Sequence, residues 1–338
     1  MVISQSAALF MILITTFMWG SWFHFIRRIG NYPVSAFMLW LYTFSAVIVW
    51  GAIAILKKWM LPGNLVEMVT ATPETRSMAA LILVCGALFA IGMQIQMIVV
   101  KHIGLILSTS VCATCGILIG TFLSIALAGL PEGVSVWMII LAAFVLLAAT
   151  LICQMAGRMK DRDTNAKDQE GYEAEQKTNL KYFLYLILCI VFLEPAYTVG
   201  MAKGLQTDLN PNGFPALLCI GLLSIGSFLG TLIVSGIHLT KTKQWKECLL
   251  PKQKSVYPMT FASAFCHYGG NVLQTIASPV LSVAIAWPMG NFFYIWTYVW
   301  GLAGKEFKGA KRKTYLTLFA GMAMYVLGVI LLAINLYW

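Results

Sequence analysis

Apolar residues dominate ten stretches of this chain, at 7–26, 34–56, 78–100, 105–130, 134–156, 182–201, 214–239, 256–277, 279–303 and 314–336, with short polar connections between them. A bilayer core roughly 30 Å thick takes about 20 residues of helix, and each stretch meets that length. Backbone amides in hydrocarbon must pair within their own segment, and the ten-residue alternation of a membrane barrel is absent. The pattern therefore predicts an all-α integral membrane fold with ten transmembrane helices. The first stretch has no basic residues before it, and its first positive charges, Arg27 and Arg28, follow it. It is expected to be a retained first helix, amino end outside, rather than a cleaved signal.

Composition agrees with this reading. Only 11% of the residues are charged and 59% are hydrophobic, whereas water-soluble domains carry about 25% charge. The net charge of +10 is unevenly placed. Arg27, Arg28, Lys101, the basic residues between Arg158 and Lys181, those between Lys241 and Lys254, and those between Lys305 and Lys313 all fall in the odd-numbered loops. Only Lys57, Lys58, Arg76 and Lys203 fall on the other side. The positive-inside rule then puts the odd loops in the cytoplasm and both termini on the extracellular or periplasmic face of the cell membrane. Attraction to anionic lipid headgroups accounts for the basic excess, so nucleic acid is not an expected partner.

One stretch, 158–180, is rich in both charge signs and poor in apolar residues. It reads as a cytoplasmic linker between a first five-helix repeat (1–157) and a second (181–338). With an odd number of helices in each, the two must insert in opposite senses, an arrangement common among secondary transporters. An offset of 174 residues lays Leu107-Ser108 on Leu281-Ser282, Gly116 on Gly290 and Glu132 on Glu306. Very short connections predict tight hairpins between the third and fourth helices and between the eighth and ninth. Gly116-x-x-x-Gly120, Gly200-x-x-x-Gly204 and Gly226-x-x-x-Gly230 are small-residue faces on which helices approach closely, preferentially within the chain.

Polar residues inside such segments usually face a cavity or a partner. Glu194 is the acidic residue of the sixth stretch, shares a helical face with Tyr197, Thr198 and Met201, and precedes Pro195. A carboxyl there, taking a proton on one side of the membrane and releasing it on the other, would suit proton coupling; pairing with a lysine or with interfacial water is the alternative. The eighth stretch carries Ser263, His267, Gly270, Asn271, Gln274 and Ser278 at helical spacing. Asn, Gln and His offer both donors and acceptors, which fits a neutral polar ligand, although hydrogen bonds that only join helices would look the same. In the ninth stretch Trp287, Asn291, Tyr294 and Tyr298 share a face beside Pro288. Trp287 offers a flat stacking surface, while Tyr298 reads as an interface anchor. Gln94, in line with Met97 and Lys101, and the set Thr16, Gly20 and His24 are weaker candidates.

No nucleotide-binding, metalloprotease or other catalytic motif occurs, so an enzyme is not expected. The four histidines lack metal-ligand spacing, and no cofactor is called for. Of eight cysteines all but Cys248 lie in the apolar stretches, which speaks against a disulfide framework; Cys112 and Cys115 read as small buried thiols.

Several short motifs, met in order, resemble one family. Trp300-Gly301 followed by Lys305-Glu306-Phe307-Lys308-Gly309 is similar to the [GK]-E ending of the ninth helix in the drug/metabolite transporter superfamily. Within it the chain most resembles the ureide permeases, through Gly20-Ser21-Trp22, Arg27-Arg28-x-Gly30 and Pro33, Ile119-Gly120-Thr121, Glu194-Pro195-Ala196-Tyr197, Gly270-Asn271-x-Leu273-Gln274 and Arg312-Lys313-Thr314-Tyr315. The resemblance implies a proton-coupled or facilitated importer of oxo-derivatives of nitrogen heterocycles such as allantoin or uracil. Two features depart from that family: the central loop is short, and Glu194 stands where an uncharged residue is usual. Sugar-uptake and rhamnose-type carriers, and metabolite or drug exporters of the same fold, are the nearest alternatives. The expected site comprises Trp22, Gln94, Tyr197, His267, Asn271, Gln274, Trp287 and Asn291 for the solute and Glu194 for protons. Oligomeric state is not readable from the sequence.

Overall fold

The computed structural model describes residues 3–26, 29–30, 32–103, 105–164 and 180–336. Arg27, Arg28 and most of the expected linker lie outside the described residues, as do the side chains of Lys101, Cys112 and Cys115. The described chain is helical: α1 (Gln5–Ile26), α2 (Val34–Met60), α3 (Leu65–Thr70), α4 (Pro73–Ile103), α5 (Leu105–Ala128), α6 (Val136–Thr164), α7 (Leu180–Leu188), α8 (Ala196–Gly204), α9 (Ala216–Lys241), α10 (Trp245–Leu249), α11 (Val256–Leu281), α12 (Val283–Gly290), α13 (Phe293–Ala303) and α14 (Arg312–Ile334). Isolated bridges within 205–214 are the only β pairing among the described residues.

Six helical stretches among the described residues, Val34–Met60, Pro73–Val99, Val136–Thr164, Leu184–Gly204, Ala216–Lys241 and Arg312–Ile334, are long and apolar enough to cross a membrane. The large apolar side chains they and their neighbours leave exposed, among them Phe10, Phe122, Trp137, Phe144, Phe192 and Ile233, would be costly in water and suit lipid. Both features are consistent with a multi-pass membrane protein. α11 is equally long but carries the polar stripe, and the ninth stretch is divided between α12 and α13.

Local chemistry sets several boundaries. α4 opens on a reciprocal cap in which the Thr72 and Thr75 hydroxyls each accept from the other's backbone N–H, at 3.1 and 3.2 Å, with Pro73 at the first helical position. The sixth stretch is broken rather than continuous: a π-helical turn, Cys189–Leu193, meets Glu194-Pro195 before α8 begins. Proline withholds its N–H from the preceding turn, and π-turns recur at functional positions. The eighth-to-ninth connection comes later than the sequence predicts. Pro279 stays inside α11, and the chain reverses at Ser282, whose φ of 64° is unusual for a non-glycine residue. The ninth stretch breaks at Asn291 and Phe292. Ser282 thus marks a turn while Ser108, its partner at an offset of 174, lies within α5. The sequence match and the two hairpin turns are therefore out of register.

The helices pack in exchanged couples, counting the ten stretches in chain order. The first lies against the eighth, as the sixth lies against the third; the second against the eighth, as the seventh against the third; the first against the ninth, as the sixth against the fourth. The second and seventh, the fourth and ninth, and the fifth and tenth pair with each other. Small residues permit the closest approaches. Gly86 of α4 lies on the backbone of Leu223 in α9, and Gly226 and Gly230 of α9 lie on Leu83 and Ala87 of α4. Gly200 and Gly204 lie on Cys85 and Ile82, also within the chain, whereas a side chain at Gly116 would meet nothing within 4 Å.

Contacts at the helix ends sort the loops into two groups. At one end the Tyr32 hydroxyl and Trp40 indole N–H both donate to the Cys248 carbonyl, at 2.9 and 3.0 Å, and the Asp163 carboxylate accepts from Lys311 N–H and the Thr314 hydroxyl, at 2.8 and 2.6 Å. At the other, Gln5 donates to the Leu336 carbonyl, and the Asn335 amide bonds both backbone groups of Ser135. The first group joins loops that carry most of the basic residues. The second joins both chain ends with an even-numbered loop.

Candidate functional site

Four helical breaks and faces converge around His267. α11 presents its polar stripe to α1 on one side and to α8 and α12 on the other, and the stripe divides accordingly. The Ser263 hydroxyl donates to the Trp22 carbonyl at 3.0 Å, the Thr15 hydroxyl donates to the Gly270 carbonyl at 3.1 Å, and the Trp19 indole donates to the His267 carbonyl at 3.2 Å. Those groups fasten α1 to α11. Ser278 turns its hydroxyl back to the Gln274 carbonyl, 2.8 Å away in its own helix. The side chains of His267, Asn271 and Gln274 remain, all buried.

These three differ in how far their polar atoms are satisfied. Gln274 accepts from the Tyr197 hydroxyl at 3.1 Å and donates to the Ala286 carbonyl at 3.3 Å, tying α11 to α8 and α12. His267 Nε2 and Asn271 Nδ2 are buried and have no hydrogen-bond partner. So are Glu194 Oε1, Thr198 Oγ1 and the Tyr42 hydroxyl. Leaving a buried donor or acceptor unmet costs about 1–3 kcal/mol per group, and native proteins rarely accept several together without a functional reason.

Aromatic rings enclose the unmet atoms. Trp22 packs on His267 with centroids 4.8 Å apart, Phe89 lies nearly parallel to it at 6.1 Å, and Tyr42 and Tyr268 meet it edge-on at 5.9 and 5.4 Å. Phe89 continues to Tyr197 at 5.2 Å, and Tyr197 to Trp287 at 5.8 Å. The Trp287 indole lies across Gly120 and donates to the Gly116 carbonyl at 3.3 Å. Glu194 reaches the group from the helix break, with its Cγ against Gly92 of α4. No Lys or Arg is buried among the described residues, and among them no ion pair to Glu194 is formed. Among the described residues no three His, Cys, Asp or Glu side chains come together as metal ligands.

Trp22, His267, Tyr197, Gln274 and Trp287 are thus linked through ring contacts and one hydrogen bond, with Asn271 one turn along α11 from His267 and Glu194 one turn before Tyr197. The hydrogen bonds of two other expected residues lead to different partners. Gln94 is buried, but it donates to Ser35 at 3.3 Å and accepts from Ser235 at 3.0 Å, and Ser35 in turn bonds His238 Nδ1 at 3.1 Å. That cluster borders a separate cleft of about 290 Å³ at the basic-loop end, lined by Tyr32, Ser35, Ile98, His238, Gln244 and Glu247. Burial raises the Tyr32 phenol above its ordinary range, so there it acts as a donor. Asn291 closes α12, its side-chain amide donating to the Trp287 carbonyl one turn back at 3.1 Å. Thr16, Gly20 and His24 pack on the ninth stretch, through Trp296, Phe293 and Trp300, and Tyr294 and Tyr298 join the apolar cluster around α6 and α14.

Sequence reasoning missed Tyr42 and Phe89. Both sit in predominantly apolar helices, where Ser45 one turn beyond Tyr42 and Gln96 two turns beyond Phe89 form no polar stripe that would single them out. No known protein-family model matches this chain, and no curated protein matches it either.

Proposed function

We propose that this chain is a secondary transporter, a permease that imports a small, flat, polar solute of ureide or nucleobase type with proton coupling through Glu194. In this reading all ten stretches span the membrane as two inverted five-helix repeats. The exchanged couples of helix packing support it, since the most extensive contacts of the first repeat have counterparts five stretches along. The grouping of loops supports termini on the face opposite the basic loops. The resemblance to ureide permeases, which rests on short motifs, supplies the solute class.

One observation carries the reading. Buried polar atoms with no partner, His267 Nε2 and Asn271 Nδ2 on α11 and Glu194 Oε1 one turn before Tyr197, accompany a run of flat rings that passes from Trp22 and Phe89 around His267 to Tyr197 and Trp287. A flat solute with donors and acceptors on its edges would satisfy those atoms and stack on those rings. The residues divide between two groups of helices. α1 is fastened to α11 and the ninth stretch through Trp19, Trp296 and Trp300, while the broken sixth helix packs on α4 and α5. Rocking one group against the other would expose the site alternately to each side.

Thermal unfolding of the purified protein against allantoin, uracil, glucose, rhamnose and amino acids tests the solute class. A ligand at 100 times its dissociation constant stabilises by about 2.7 kcal/mol. Allantoin or uracil is expected to raise the midpoint, and Asn271→Leu to abolish the rise. A response confined to the sugars would contradict the heterocycle assignment.

A further inference from the structure

The pair Gly116-x-x-x-Gly120 behaves unlike the other small-residue pairs of the sequence. Gly200, Gly204, Gly226 and Gly230 each lie on a residue of α4 and let helices approach. A side chain at Gly116 would meet nothing within 4 Å, and the three atoms nearest a new Cβ at Gly120, Nε1, Cε2 and Cζ2, all belong to the Trp287 indole. This pair is therefore a groove for one side chain rather than a face for a helix.

Trp287 is held in the groove from three directions. Its indole N–H donates to the Gly116 carbonyl at 3.3 Å. Its ring meets that of Tyr197, with centroids 5.8 Å apart. The carbonyl just before it, that of Ala286, accepts from the Gln274 amide at 3.3 Å, and the same amide accepts from the Tyr197 hydroxyl at 3.1 Å. Gly120, Trp287, Tyr197 and Gln274 thus form a closed circuit of contacts across α5, α12, α8 and α11. α5 packs directly on both α8 and α12, so the indole sits where these three helices meet.

We infer that Gly120 is a positioning residue for solute recognition: its missing Cβ sets how deeply the Trp287 indole sits on α5, and thereby where that ring stands against Tyr197. The inference deepens the transport reading above, in which these two rings stack on the solute, and rests on it. A methyl group at Gly120 cannot share the space of Nε1, so the indole must move off α5 and give up the Gly116 carbonyl. A methyl group at Gly116 displaces nothing. Two glycines one turn apart should therefore differ sharply.

Fluorine-19 NMR of the full-length protein in detergent micelles, labelled with 5-fluorotryptophan, follows the ring without a solute. The label lies on the indole edge away from Nε1 and Cζ2, clear of the groove. Trp287→Phe should remove one resonance and so identify it. Gly120→Ala should shift that resonance, and Gly116→Ala should leave it in place. Thermal unfolding provides a second measurement: Gly120→Ala should lower the midpoint of the unsubstituted protein but not that of Trp287→Phe, whose smaller ring leaves room for the methyl group. Uptake into vesicles then reads the role in recognition. Gly120→Ala should raise KM for uracil or allantoin about tenfold, the worth of one aromatic contact, with little change in maximal rate. Gly226→Ala, which disturbs packing elsewhere, should leave KM unchanged. An unmoved Trp287 resonance in Gly120→Ala would overturn the seat, and a shifted resonance with an unchanged KM would overturn its part in recognition. If the unsubstituted protein takes up neither solute, the transport reading fails and the recognition role falls with it, a result the NMR distinguishes from loss of the seat.

Discussion

Two amides one turn apart on α11 should respond to apolar substitution with opposite signs. Asn271 and Gln274 are both buried, at 2% and 3% exposure, so exposure does not distinguish them. Their bonding does. Asn271 Nδ2 is unmet, and Asn271→Leu keeps the branching at Cγ while deleting a donor that costs about 1–3 kcal/mol. After some loss to the bulk of the new methyl groups, a net gain of about 1 kcal/mol is expected. Gln274→Met removes an acceptor from Tyr197 and a donor from the Ala286 carbonyl. Helix-joining bonds in membranes are worth about 0.6–2 kcal/mol, and the stranded Tyr197 hydroxyl adds about 1–3 kcal/mol, so a loss of about 2–4 kcal/mol follows. Equilibrium unfolding of both variants in mixed detergent micelles, with thermal midpoints as a second probe, measures the difference. The reasoning predicts that Asn271→Leu is more stable yet fails to bind solute, and that Gln274→Met is less stable. Destabilisation of both variants by similar amounts would refute it, because Asn271 would then hold a structural bond.

Further expectations concern packing and the helix ends. At Gly226 a new Cβ would press on the Leu83 backbone, which cannot yield, so Gly226→Ala should cost about 1–3 kcal/mol; Gly51→Ala, with nothing within 4 Å, should gain about 0.5–1 kcal/mol, and the pair can be compared by thermal unfolding. The Thr314 hydroxyl, the Lys311 N–H and the Lys311 charge hold the Asp163 carboxyl below its ordinary range. A carboxyl so lowered adds stability that is complete above its unfolded value of about 3.9 and is lost as pH falls through the folded one. Unfolding midpoints should therefore drop on acidification below about pH 4, and Asp163→Ala should lower the neutral-pH midpoint while flattening that acid limb.

Hydropathy made the helical, membrane-suited character legible because one segment of about 20 apolar residues suffices to state it. Positions of breaks were less legible. Pro279 opens the ninth apolar stretch and Pro288 lies within it, yet the chain turns at Ser282 and breaks at Asn291, since a proline forfeits one hydrogen bond that a neighbouring turn can absorb. The stripe on α11 was legible as polar spacing, but which members bind helices and which face the site was not. Ser263 serves α1 and Asn271 serves nothing within the described protein, and that division depends on Trp22 and Thr15, more than 240 residues away. Asn291 shows the same limit: its amide has an acceptor one turn back in its own helix, which spacing alone does not separate from a distant ligand. Tyr42 escaped notice because its chemistry lies in the missing partner, a property of the packed state.

Reconstituted vesicles offer the most direct test of the central claim, that the Glu194 carboxyl couples solute movement to protons. Uptake of radiolabelled uracil and allantoin is measured under an imposed pH gradient and as exchange at equal pH. The unsubstituted protein should accumulate one of these solutes only with the gradient, and Glu194→Gln should lose that accumulation while retaining exchange. Undiminished gradient-driven accumulation by Glu194→Gln would contradict the account.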